Sequence, residues 1–89
     1  MEHRTTEAFW DAYFALPMEI RERANKQFSL LQANPQHPSL QFVKIGERNG
    51  HELWSARDSL NYRALAIKRP DGYLWFWIGD HRGYDRLLS

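Results

Sequence analysis

The stretch Tyr73-Leu74-Trp75-Phe76-Trp77-Ile78 constrains this chain most. It is an unbroken apolar run, too short to span a bilayer and too rich in aromatic and β-favouring residues for a helix core. The run predicts a strand buried on both faces and central in a sheet. It stops at Gly79, and Asp80, His81, Arg82 and Tyr84 follow at once. A rigid strand that delivers polar groups at its end is a good way to hold a site.

Upstream, the periodicity changes from two to about 3.6. Thr5 or Thr6 is placed to cap a helix that carries Phe9, Tyr13 and Leu16 on one face, with Trp10 and Phe14 beside it. Pro17 ends that helix and opens a second one, whose apolar positions are Ile20, Ala24, Phe28 and Leu31. Asn34-Pro35 stops it. After the loop Asn34 to Ser39, strands are expected at Leu40–Ile45, Glu52–Arg57 and Asn61–Lys68, before the apolar run. Gly46 to Gly50 and Arg69 to Gly72 read as turns. The expected fold is α+β: one domain, an N-terminal helical hairpin on a four-stranded antiparallel sheet, with a short C-terminal turn or helix. If Asp58 to Asn61 form the third turn, Arg57 pairs with Tyr62, and Arg57 and Arg63 point to opposite faces. A bulge in that turn would re-aim one of them.

Composition narrows the chemistry. With no cysteine, a thiolate metal site and a disulfide framework are both out of reach, which fits a reducing cytosol. The four histidines His3, His37, His51 and His81 show no metal-ligand spacing, so no metal or cofactor is expected. No apolar leader or spanning segment is expected either. The net charge is only +1, yet nine of the twelve basic residues are Arg, whose planar fork suits phosphate and carboxylate. Residues 35–89 hold eight basic and six acidic groups, a sum of +2.

Within this frame His81 is a candidate proton carrier near neutral pH, or else a cap on the sheet. Arg57 and Arg63 lie in strands, where each needs a carboxylate partner or a ligand. A salt bridge is the simpler expectation for Arg57. Tyr84 is placed to stack on a base or to anchor the C-terminal turn, and Lys44 to reach the rim or line a groove.

The ordered set Leu16-Pro17, Asn34-Pro35-Gln36-His37-Pro38-Ser39-Leu40, Trp54-Ser55-Ala56-Arg57, Tyr62-Arg63-Ala64-Leu65 and Trp75-Phe76-Trp77-Ile78-Gly79-Asp80-His81, with Tyr84-Asp85-Arg86-Leu87, resembles the RelE/ParE superfamily of bacterial toxin–antitoxin toxins. The resemblance runs from about Phe9 to Leu88, and is strongest to a compact ParE-like or HigB-like branch. It implies a cytoplasmic toxin, a monomer or a hetero-oligomer with its antitoxin, that cleaves mRNA on the ribosome. The 2′-hydroxyl would attack the adjacent phosphate. By position, Arg63, His81 and Tyr84 would be catalytic, with Lys44 and Arg57 contacting substrate. Leu53, Ser55 and Ala56 are neutral where well-known ribonuclease members carry charge, which leaves a ParE-type inhibitor of DNA gyrase and a non-toxic relative as alternatives.

Overall fold

The computed structural model describes residues 2–89. In chain order the elements are β1 (Glu2–Thr5), α1 (Glu7–Phe14), α2 (Met18–Ala33), a 3₁₀ turn (Pro38–Leu40), β2 (Val43–Arg48), β3 (His51–Ser59), β4 (Tyr62–Arg69), β5 (Gly72–Asp80) and α3 (His81–Leu88). The strands form one sheet in the order β1-β5-β4-β3-β2. Strands β2 to β5 are the expected antiparallel meander. The sheet has a fifth strand, however: β1 pairs in parallel with β5, His3 opposite Tyr73. Its sequence gives no strand signal because an edge strand can be held by its backbone while polar side chains face water.

The helices start where the chemistry dictates. The Thr6 hydroxyl accepts from the Phe9 amide at 3.1 Å and caps α1. Pro17 precedes α2 as its cap, and its carbonyl accepts from the Ile20 and Arg21 amides. Leu40 does not begin a strand. It closes the 3₁₀ turn and is only 1% exposed, and Gln41, with φ of 42°, turns the chain into β2. The β2–β3 turn is tighter than expected. Asn49 and Gly50 take φ of 54° and 81°, the mirror-image turn that matches strand twist.

The two faces of the sheet are unlike. Leu31, Leu40, Ala56, Ala66, Tyr73 and Trp75 form the core under α1 and α2, joined by Phe9, Phe42 and Trp54. The opposite row runs Val43, Ser55, Leu65 and Trp77, by register. The apolar run of β5 is buried most on the helix side, at Tyr73, Trp75 and Ile78, whereas Leu74, Phe76 and Trp77 are half-buried. A bulge at Phe76 lets Trp75 and Ile78, three residues apart, share the helix side. His3 completes this core. Its Nδ1 accepts from the Trp75 indole at 3.0 Å, its ring stacks on Tyr73, and burial lowers its pKa.

Candidate functional site

The site is set by one irregularity. The β3–β4 turn is only Leu60-Asn61, and Asp58 is bulged out of the ladder, so Arg57 pairs with Arg63 rather than with Tyr62. Residues directly opposite in an antiparallel pair share a face. By strand alternation both guanidinium side chains are placed on the face opposite Ala56 and Ala64, which face the helices, while the Arg57 main chain reaches α2, its carbonyl accepting from the Gln27 amide at 2.9 Å. Both arginines are half-buried. Among the described residues no carboxylate lies within 4.0 Å of either, because the ion pairs there involve only Arg4 and Lys44. The salt bridge expected for Arg57 is not made. Two unpaired guanidiniums side by side repel, and that cost is relieved by an anion between them.

The rest of the site is carried by the junction of β5 and α3. Gly79 sits opposite Arg63, and Asp80 opposite Tyr62. Asp80 then caps α3, accepting from the Gly83 amide at 3.0 Å. The His81 amide donates to the Asn61 carbonyl at 3.0 Å, which fastens the start of α3 to the β3–β4 turn. His81 is thus two residues beyond the Arg57–Arg63–Gly79 row, with an exposed ring. Tyr84, one helical turn on, meets His81 edge to face, with ring centroids 6.3 Å apart. Below them α3 lies close to the sheet because Gly79 and Gly83 both face the Trp77 indole. A Cβ at either would collide with that ring. The far end of α3 is held by Arg48, whose guanidinium donates to the Leu87 carbonyl at 3.0 Å.

Arg57, Arg63, His81 and Tyr84 therefore come together at one end of the sheet. Lys44 does not join them. It pairs with Trp54 in the row that faces the helices, on the other side of the sheet from Arg57 and Arg63. Its ammonium binds the Glu47 carboxylate at 3.0 Å, a hydrogen bond that raises its pKa, and Glu52 lies 4.0 Å away. Two residues at the site carried no sequence signal. Gln41 receives a hydrogen bond from Arg63 Nη1 at 3.2 Å and orients it. Arg48 anchors α3 from a strand that is remote in sequence. The left-handed turn at Gln41 is what aims that side chain, and no local pattern announces it.

Asp58, displaced by the bulge, points the opposite way. It is 6% exposed, it lines the space beneath α1 and α2, and neither carboxylate oxygen has a hydrogen-bond partner. Burial pushes its pKa from the usual 3.8 to about 6, against the pull of Arg23.

No protein-family model matches the sequence, and no curated protein matches it. Solved structures do match. The RelB–RelE antitoxin–toxin complex from Methanococcus jannaschii superposes with a TM-score of 0.73 at 15% identity, over 97% of this chain and 99% of that one. The archaeal RelE–RelB complex from Pyrococcus horikoshii OT3 gives 0.67 at 15% identity, over 89% and 92%. The YoeB/ParE toxin from Agrobacterium tumefaciens gives 0.67 at 16% identity, over 91% and 99%. The chain has the RelE/ParE-type toxin fold.

Proposed function

We propose that this protein is the toxin of a toxin–antitoxin pair and acts as an endoribonuclease on mRNA in the cytoplasm. The observation that carries this reading is the pair Arg57 and Arg63, in register on one face without carboxylate partners, beside an accessible imidazole. Phosphate is the ligand that such a pair suits. A ribose 2′-oxygen attacks the adjacent phosphorus while His81 takes its proton. The two guanidiniums offset the charge that builds on the phosphoryl oxygens. The bond from phosphorus to the 5′ oxygen breaks, and that oxygen takes up a proton. The products are a 2′,3′-cyclic phosphate and a 5′-hydroxyl. Tyr84 stacks on a neighbouring base. Lys44, across the sheet, has its contact with the RNA backbone outside this centre.

The second half of the proposal is a protein partner. Trp10, Phe14, Met18 and Phe28 are between 42% and 67% exposed on α1 and α2. An apolar patch of that size on a small domain suits the apolar face of an antitoxin helix. Two of the solved structures that share the fold hold RelE bound to RelB, which agrees with such a partner.

Inducible expression in a bacterial host, with 5′-end mapping of a reporter mRNA, tests the reading. New ends inside the coding region, absent with Arg63→Ala, are the expected result. Growth arrest with intact mRNA and a DNA-damage response would instead support the gyrase-directed alternative. Unimpeded growth would leave a binding or inactive relative.

A further inference from the structure

The bond between Arg63 and Gln41 fixes which way the Gln41 amide faces. A guanidinium carries only donors. It is therefore the amide oxygen, Oε1, that accepts from Arg63 Nη1 at 3.2 Å. The NH2 end of the same amide stands on the flank of the guanidinium. Gln41 is exposed, and among the described residues no protein group accepts from that NH2.

The surrounding chain holds this amide in place. Gln41 has φ of 42°, a left-handed backbone that costs free energy in a residue with a Cβ and persists only where its neighbours enforce it. On one side of it Leu40 is locked in the core at 1% exposure. The Gln27 amide donates both to the Ser39 carbonyl at 3.3 Å and to the Arg57 carbonyl at 2.9 Å. That clamp fastens the turn before Gln41 to the residue that pairs with Arg63. Gln41 enters from the β2 side and Arg63 from β4, with β3 and its Arg57 between them. The bond thus spans the strand that carries the other arginine.

We propose that Gln41 is a substrate-binding residue: its Oε1 holds Arg63, and its NH2 donates to a non-bridging oxygen of the phosphate that the arginines bind. The role rests on the reading of the arginine pair as a site for an RNA phosphate. A neutral donor beside two cations adds a hydrogen bond to the anion without adding to their repulsion. A guanidinium held before the ligand arrives also loses less freedom on binding.

The test titrates a uridine dinucleotide, 2′-O-methylated so that it cannot be cleaved, into ¹⁵N-labelled full-length protein. The side-chain NH2 signals of Gln41, assigned by their loss in Gln41→Met, are expected to shift saturably together with the Nε–H signals of Arg57 and Arg63. Gln41→Met, of similar length but without the amide, is expected to bind about tenfold more weakly, the effect of one hydrogen bond to a charged group. In Arg63→Ala the Gln41 NH2 signals should still move at higher dinucleotide concentration, which an amide that only held the arginine would not show. Shifts at both arginines with Gln41 NH2 unmoved, native affinity in Gln41→Met, or still NH2 signals in Arg63→Ala would each overturn the proposal and leave the phosphate site standing. No saturable shift at any of the three residues at millimolar concentration would overturn both. The titration of the native chain holds even if a variant folds poorly.

Discussion

Asp58 shows how one residue shapes two faces. By leaving the ladder it brings Arg57 opposite Arg63, and its own carboxylate becomes the least satisfied charge in the core. A carboxyl whose pKa rises on folding stabilises the fold below its unfolded value, and that contribution is lost as pH rises through the folded value. Here the window runs from 3.8 to about 6. The ionised form therefore costs about 3 kcal/mol at neutral pH, by the usual conversion of pKa to free energy. Asp58→Asn is expected to be more stable than the native protein by about 1–3 kcal/mol at pH 7.5, and no more stable at pH 4. Urea unfolding at both pH values measures this, and equal gaps at the two would refute it. His3 has the opposite sign. Its lowered pKa means that its contribution is complete above 6.5 and is lost as pH falls below that. Its Nδ1 also cannot accept from Trp75 once protonated. Amide exchange along β1 should therefore quicken on acidification from pH 7 to 5, and should not do so in His3→Gln.

Among the elements, those with a hydrophobic period were legible in the sequence and those held by backbone alone were not. The stretch Tyr73 to Ile78 announces β5, and Phe9, Tyr13, Ala24 and Leu31 announce the helix faces. The strand β1 is missed because three of its four residues face solvent and its bonds are main-chain. The register of β3 on β4 was equally hidden, since one bulged residue reverses which face Arg57 takes. Helix α3 is the element on which the site depends, and its position rests on two glycines over Trp77. Gly83→Val is expected to push α3 off the sheet at a cost of about 1–3 kcal/mol. Ribonuclease activity should then fall while the core near Leu31 and Trp75 stays intact. Activity measured beside the tryptophan fluorescence of the folded state separates the two effects. Unchanged activity would mean that His81 and Tyr84 need no fixed place.

For the whole molecule, the sheet divides the labour. One face closes the core beneath α1 and α2, and the other displays the arginine pair with His81 and Tyr84 at its rim. At the junction of α1 and α2 the surface remains apolar at Phe14 and Met18. Replacing Phe14 and Met18 by Ser should weaken binding to the antitoxin at least tenfold and leave the melting temperature nearly unchanged, because both side chains are about two-thirds exposed. Sequence could name Arg57, Arg63, His81 and Tyr84 by residue type and resemblance. It could not bring them together, because that requires the bulge at Asp58 and the contact between His81 and Asn61. The central claim is that these groups cleave RNA through a 2′-oxygen. The most direct measurement is the chemistry of the RNA ends made by the native protein and by Arg63→Ala and His81→Ala, each checked for folding by circular dichroism. The expected result is 5′-hydroxyl and 2′,3′-cyclic phosphate ends, with the rate reduced about 10²- to 10³-fold in Arg63→Ala. Undiminished cleavage by both folded variants, or ends bearing a 5′-phosphate, would contradict it.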